Sequence, residues 1–251
     1  MEKLILLCND DGIEAPGLQY LISFVKDFGK LVVVAPETGQ SGMGHAVTIS
    51  SPLRLRAHSP IDDIERYSVN GTPVDCVKMA LDKVLDRKPD LIIGGINHGA
   101  NTSVNILYSG TMAIALEGAM LNIPSIGFSS LCYDHNYDMA HYGKWVKTIV
   151  EITLKNGMPD STCLNVNMPH SNEIKGIKIC RQSMGYWDES FDARIDTHKK
   201  PYYWLRGDFN LYEKPEDSDE FALEDNYVSI VPVKIDLTNY EFLADLTKQY
   251  Q

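Results

Sequence analysis

The 251-residue chain contains no run approaching the roughly 18 consecutive apolar residues of a membrane span, so no membrane partner is expected. It also lacks positive charge: 34 acidic side chains face 23 basic ones, a formal net charge of −11, and such a surface does not suit a nucleic-acid duplex. Cysteine is sparse. Cys8, Cys76, Cys132, Cys163 and Cys180 are odd in number, scattered and never spaced C-x-x-C, which argues against a disulfide framework and a zinc site. Met1-Glu2-Lys3-Leu4 leads into a short apolar stretch without the basic flank and cleavage site of a signal peptide, and a reducing cytoplasm is the expected compartment. Three further signatures are missing. The turn after the first apolar run has no G-x-G-x-x-G, the Gly-rich residues 36–44 have no P-loop lysine, and the residues around Ser41 do not spell G-x-S-x-G. A dinucleotide cofactor is therefore disfavoured.

What is present is an ordinary globular balance, 44% hydrophobic and 23% charged, able to bury a full core. Residues 3–8 (KLILLC) and 31–35 (LVVVA) are continuous apolar runs, the pattern of strands covered on both faces. Between them Leu18, Leu21, Ile22 and Val25 recur at helical spacing, which completes a right-handed βαβ unit. A second unit follows: a helix from 73 to about 85, a strand over 90–94, a long loop, a helix over 111–121 and a strand over 124–129. A helix from about 141 to 156 and a strand over 163–167 extend it. This alternation predicts an α/β, Rossmann-like, doubly wound and mostly parallel sheet. After residue 176 the short strand-like runs have no long helical pattern between them, which predicts one domain with a core over 1–175 and a hairpin-rich antiparallel appendage over 176–251. Residues 213–225 hold seven acids and one lysine and read as a solvated loop.

Ligands of open α/β sheets bind beyond the carboxyl ends of the strands, so the residues after each strand are the informative ones. Asn9-Asp10-Asp11-Gly12-Ile13 follows the first strand. Neighbouring side chains of a strand point to opposite faces, so Asp10 and Asp11 converge only if the backbone is already turning, and converging carboxylates repel unless a cation lies between them. An Asp–Gly turn with a capping Asp is the simpler reading of the same residues. Residues 36–44 (PETGQSGMG) offer the Ser41 hydroxyl and free backbone N–H groups. Residues 94–112 contain Asn97, Asn101 and Asn105 and no Asp, Glu, Lys or Arg in 19 positions, and they end in Ser109-Gly110-Thr111 at a helix start, a ready anion site or simply an N-cap. Carboxylates, a hydroxyl and amide carbonyls are hard oxygen donors that suit Mg²⁺, Mn²⁺ or Ca²⁺. The set serves metal-dependent phosphate chemistry and a sugar or nucleotide binder of the same fold equally well.

The motifs Asn9-Asp10-Asp11-Gly12-Ile13-Glu14-Ala15-Pro16-Gly17, Ala35-Pro36…Ser41-Gly42, Asn70-Gly71-Thr72-Pro73-Val74-Asp75-Cys76-Val77, Gly95-Ile96-Asn97-His98-Gly99-Ala100-Asn101, Tyr108-Ser109-Gly110-Thr111 and Leu164-Asn165-Val166-Asn167-Met168-Pro169 resemble, in this order, the SurE stationary-phase survival family of 5′-nucleotidases. Tyr227-Val228-Ser229-Ile230-Val231-Pro232 resembles its closing strand, so the likeness spans nearly the whole chain. The resemblance implies that Asp10, Asp11, Ser41 and Asn97 ligate one divalent cation per subunit, Mg²⁺ or Mn²⁺, with Ca²⁺ as an alternative bound ion. It implies that Asn101, Ser109, Gly110 and Thr111 hold the substrate phosphate, and that Asp10 or Asp11 takes the proton of the attacking water. The implied reaction is hydrolysis of nucleoside monophosphates, in some members also of 3′-nucleotides or short polyphosphate. The implied assembly is a homodimer or homotetramer with an exchanged C-terminal hairpin. Two positions depart from the family pattern: Gly94 stands where Ser is usual, which would loosen substrate contacts, and Val231 replaces Thr before Pro232.

His45 and His98 lie inside these loops, as proton donors to a leaving group or as hydrogen-bonding bystanders. Thr72-Pro73 reads first as a capped helix start. Tyr186, Trp187, Tyr202, Tyr203 and Trp204 read as strand or subunit packing ahead of base stacking. A non-catalytic nucleotide or phosphate sensor with the same cradle, and a serine hydrolase using Ser41, are the competing functions.

Overall fold

The computed structural model describes residues 2–251. Along the chain lie β1 (Leu4–Cys8), α1 (Pro16–Val25), β2 (Lys30–Pro36), β3 (Leu55–Ile61), β4 (Ile64–Val69), α2 (Pro73–Met79), β5 (Leu91–His98), α3 (Gly110–Met120), β6 (Ser125–Ser130), α4 (Gly143–Asn156) and β7 (Thr162–Met168). Then follow β8 (Gly176–Ile179), β9 (Gly185–Ile195), β10 (Pro201–Leu211), α5 (Asp219–Glu224), β11 (Tyr227–Lys234) and α6 (Tyr240–Gln249). Nine strands form one sheet in the order β3-β4-β2-β1-β5-β6-β7-β11-β8, while β9 and β10 make a separate two-stranded ribbon. All pairings in the large sheet are parallel except β3–β4 and β7–β11.

The continuous apolar runs are explained by two cores. Ile5 and Leu7 of β1, Leu31, Val33 and Ala35 of β2, and Leu91 and Ile93 of β5 face one side, where they pack with Leu18, Leu21 and Val25 of α1 and Val146, Ile149 and Val150 of α4. Leu4, Leu6 and Cys8, Val32 and Val34, and Ile92 face the other, against Cys76, Val77 and Ala80 around α2 and Ile114 of α3. Odd and even positions are both buried because helices cover both faces. All five cysteines are free and buried. No helix among the described residues is long and apolar enough to cross a membrane.

The doubly wound, mostly parallel sheet is as expected, and the helix expected from 73 runs through α2 into a π-helical turn, Ala80–Val84. Four features differ. The β3–β4 hairpin lies in a stretch where no strand was expected. β3 is an exposed edge strand with little apolar alternation, and its partner is reached through Asp62 and Asp63, both with positive φ. Secondly, β5 continues to His98, so the loop expected from residue 94 begins only after it. Thirdly, β8 and β11 complete the large sheet: β11 runs antiparallel to β7 in the register Val231↔Asn165 and parallel to β8. The appendage is thus not the whole of 176–251. It comprises the β9–β10 ribbon and the exposed α6, whose apolar spacing was not read as a helix. Fourthly, the acidic stretch is not a plain solvated loop. Its Ser218 caps α5, and Asp219 is fully buried, accepting from the backbone N–H groups of Ser103, Ser183 and Glu220 at 2.9–3.1 Å.

One ion pair at the amino end of the sheet fixes the alignment of its two central strands. Asp90 accepts from the Leu4 N–H at 2.9 Å, Arg87 at 3.0 Å and Lys3 at 3.2 Å, and these bonds outweigh burial and hold its carboxyl at about 2. The folded-state value lies below the ordinary 3.8, so the stabilisation is complete above about pH 4 and is lost as pH falls through 2. Asp90→Asn should cost about 1–2 kcal/mol at pH 7, allowing for the carboxylate's partial exposure. Urea melts between pH 7 and 2 test this, with the gap between variant and parent closing below pH 4.

Candidate active site

β1 is the strand from which the chain winds first to β2 on one side and later to β5 on the other. The crevice beyond the carboxyl ends of β1 and β5 is therefore the topological switch point, where ligands of such sheets bind. Two of its walls come straight from these strands: residues 9–13 after β1, and Asn97 and His98 at the end of β5. The register of β5 against β6 shifts between Gly94 and Asn97, and the Gly95–Ile96 peptide is cis. A register shift of this kind re-aims the side chains that follow it.

Asn9 is fully buried and closes the first loop on itself, donating to the Gly12 carbonyl at 2.9 Å and accepting from the Gly12 N–H at 3.2 Å. This turn brings Asp10 and Asp11 off the regular strand alternation. Asp10 is 4% exposed, and Thr111 donates its hydroxyl to it at 2.5 Å from the first turn of α3. Burial pushes the Asp10 carboxyl up to about 6; the Thr111 hydroxyl opposes this and the neighbouring Asp11 charge adds to it. Gly110 lies flush against the same carboxylate, since a Cβ there would stand 2.7 Å from Asp10 Cβ and 3.0 Å from Asp10 Oδ2. Only glycine allows the helix start to approach that closely.

The second loop packs on the first: Gln40 donates its N–H to the Asp10 carbonyl at 2.7 Å, and Ser41, exposed, is the next residue. Beyond it the chain is pinned on three sides. Gly44 N–H bonds the Tyr108 carbonyl at 3.0 Å, Thr72 donates to the Ala46 carbonyl at 2.7 Å, and His45 Nε2 meets the buried Glu117 at 3.1 Å. Burial pushes the Glu117 carboxyl up, but hydrogen bonds from His45 and Lys78 outweigh it and leave it below its usual value.

In the third segment, Asn97 donates its amide to the Gly99 carbonyl at 2.7 Å, which turns its own side-chain oxygen the opposite way. Asn101 sits in a buried asparagine network. Its N–H bonds Asn167 Oδ1 at 2.8 Å, its carbonyl accepts from Asn165 at 2.8 Å, its amide donates to Ser129 at 2.7 Å, and Asn167 donates to Asn165 at 2.9 Å. Ser109 caps α3 by accepting from the Met112 N–H at 3.0 Å, which leaves its own proton free to donate.

The structure thus brings Asp10, Gly110 and Thr111 into contact, sets Ser109 beside them at the start of α3, and packs the Ser41 loop on the Asp10 loop. It spends the Thr111 hydroxyl on Asp10, so that side chain is not a free phosphate donor, and most of Asn101 on the network. Gly94 lies beneath the site and not in it: a Cβ there would stand 2.8 Å from the Thr111 carbonyl and 3.3 Å from Ile114 Cβ. The loosened substrate contact expected at Gly94 has no geometric basis, and a serine would press on the base of α3 instead. Val231 is buried with Cys180 and Ala222. Sequence reasoning passed over Asn9, Asn165, Asn167, Glu117 and Asp219 as functional supports. A polar residue inside an apolar strand, as in 163–168, was the available signal for the two asparagines. Asp219 and Glu220, which bind Ser103 and Thr102, gave none, because only the fold brings α5 to that loop.

The donor set fits a hard divalent cation. Two neighbouring carboxylates, one of them buried at a raised pKa without a basic partner, are an arrangement that a bound cation relieves. The hydroxyl and amide oxygens nearby are of the same hard type. Beside Ser109 opens an apolar cavity of about 830 Å³, whose wall includes His45, Leu107, Met184, Val231 and Leu237.

The chain matches the model of the family described as survival protein SurE over residues 5–189. It is 49% identical over 248 residues to the 5′-nucleotidase SurE of Flavobacterium psychrophilum, covering 98% of this chain and 96% of that one. It is 50% identical over 248 residues to the 5′-nucleotidase SurE of Flavobacterium johnsoniae, with the same coverage. Among solved structures, the crystal structure of the SurE protein from Aquifex aeolicus superposes with a TM-score of 0.83 at 38% identity, covering 99% of this chain and 100% of that one.

Replacing Asn167 by alanine removes the acceptor of the buried Asn101 N–H and the donor to Asn165. The stranded polar groups should cost about 1–3 kcal/mol, read as a lower urea midpoint at unchanged m-value.

Proposed function

The chain belongs to the SurE family, and from that premise we propose that it hydrolyses nucleoside 5′-monophosphates to nucleoside and phosphate with the help of one divalent cation. The observation that carries this reading is the buried Asp10 carboxylate, held by Thr111 and flush against Gly110 at the start of α3. A carboxylate pair, for a cation, stands there next to a helix N-terminus, for a phosphate.

Asp10, Asp11, Ser41 and Asn97 are the residues we assign to the cation, Mg²⁺ or Mn²⁺, with Ca²⁺ as an alternative occupant. When bound, it supplies Lewis acidity toward the phosphoryl group and the attacking water. The Thr111 hydroxyl fixes the Asp10 carboxylate so that its second oxygen faces the site. Ser109, through its free proton, and the first N–H groups of α3 at Gly110 and Thr111 hold the phosphate oxygens, with Asn101 shaping the wall behind them. Asp11, less buried than Asp10, accepts the proton of the attacking water. No lysine or arginine is needed at the phosphate, because the positive potential comes from backbone dipoles and the cation. 3′-Nucleotides and short polyphosphate present the same terminal phosphate and are further candidate substrates.

The assembly we propose is a homodimer or homotetramer with an exchanged β9–β10 hairpin, in the cytoplasm, where five unpaired cysteines stay reduced. It is supported by exposed apolar side chains on both faces of the ribbon, Phe191, Ile195 and Leu205 on one and Trp204 on the other, with no covering layer of their own.

Phosphate release from nucleoside monophosphates tests the reaction. We expect activity with Mg²⁺ or Mn²⁺, its loss on complete chelation, and its recovery when metal is returned. Asp10→Asn should lower kcat by at least about a hundredfold with an unchanged circular dichroism spectrum; full activity in chelator, or in Asp10→Asn, would contradict the assignment. For the assembly, Trp204→Glu combined with Leu205→Glu should shift the mass measured by light scattering toward the 28.1 kDa of one chain. An unchanged mass removes the ribbon from the interface.

A further inference from the structure

His98, the last residue of β5, has a side chain only 2% exposed, and its Nδ1 lies 3.4 Å from Asp11 Oδ2. A carboxylate only accepts, so the Nδ1–H is the donor, and the neutral tautomer with its proton on Nδ1 suffices. Its other nitrogen, Nε2, is buried with no hydrogen-bond partner among the described residues. The ring is enclosed: His135 packs against it with ring centroids 4.4 Å apart and the planes tilted by 48°, and the backbone of α1 approaches at Gly17, where a Cβ would stand 3.5 Å from His98 Cε1. A buried ring nitrogen left unpaired carries a desolvation cost that an apolar residue at this place would not incur. A costly polar group in a rigid setting, aimed at one functional carboxylate, is the mark of a positioning role.

We propose that His98 is a positioning residue for Asp11: its Nδ1–H fixes one carboxylate oxygen of Asp11 and thereby sets the other for the divalent cation. This deepens the reading above and rests on Asp11 being a cation ligand. It also separates the two histidines of the loops. His98 stands behind Asp11 with its ring closed off, so it is not the proton donor to a leaving group, whereas His45 lies on the wall of the cavity beside Ser109.

The test measures Mn²⁺ binding by titration calorimetry, turnover of a nucleoside monophosphate, and the melting temperature of the metal-free protein, for the parent, His98→Leu and His98→Asn. Leucine removes both nitrogens; asparagine keeps an N–H donor close to the place of Nδ1. The expected result is that His98→Leu weakens Mn²⁺ binding by about 10–100-fold and lowers kcat/KM in parallel, while its metal-free melting temperature is no lower than the parent's. His98→Asn should regain most of the affinity. Parent-like Mn²⁺ affinity in His98→Leu overturns the proposal. Should the leucine variant not fold, His98→Asn decides alone: a stable asparagine variant that has lost Mn²⁺ affinity also overturns it. A parent protein that neither binds Mn²⁺ nor releases phosphate overturns instead the metal-dependent reading beneath it.

Discussion

The hydrogen bond from the Thr111 hydroxyl to Asp10 is the contact on which the carboxyl end of the sheet depends. It joins the loop after β1 to the first turn of α3, and so ties the two sides of the switch point together. Burial alone would press Asp10 toward its neutral form, and Asp11 beside it pushes the same way. A hydroxyl donor and the positive end of a helix oppose both, which keeps an acidic group usable in a place that water scarcely reaches. Gly110 is the steric counterpart: the helix start approaches the carboxylate closely only because no Cβ intervenes.

Around that contact the molecule places polar supports. The Asn101–Asn165–Asn167–Ser129 network carries one wall, and Asp219 and Glu220 of α5 accept from the Ser103 N–H and the Thr102 hydroxyl on the other side. The net charge of −11 has little to do with the site. Much of the acidic stretch that dominates it is paired on the surface: Glu213 and Asp217 with Arg181, Glu224 with Lys214, and Asp225 with Lys175 and Lys178. In the proposed reaction the potential met by a phosphate is set locally, by backbone dipoles and the cation.

The central strands were legible because β1, β2 and β5 are buried on both faces and leave uninterrupted apolar runs. β3, α5 and α6 left no comparable trace. β3 sits at the sheet edge, α5 is a short acidic helix held by its cap and by one buried aspartate, and α6 buries no side chain at all. β8 and β11 carry only short apolar runs, and nothing in such a run tells which sheet it joins. The candidate site divides in the same way. Asp10 and Asp11 stood out by following the first strand, and Ser109-Gly110-Thr111 by preceding a helix.

The sequence by itself determined which segments are central strands and helices, and which oxygen-bearing side chains follow the central strands, because periodicity and position after a strand are local properties of the chain. Only the tertiary structure decided how those donors are used. The Thr111 hydroxyl turns to Asp10 and away from a phosphate, Asn101 is largely consumed by Asn165, Asn167 and Ser129, and Gly94 lies under the helix. His98 ends behind Asp11, 87 positions away in the chain. These assignments arise from contacts between residues far apart in sequence, and a side chain's chemistry is fixed by the partner it meets once the sheet has brought the loops together.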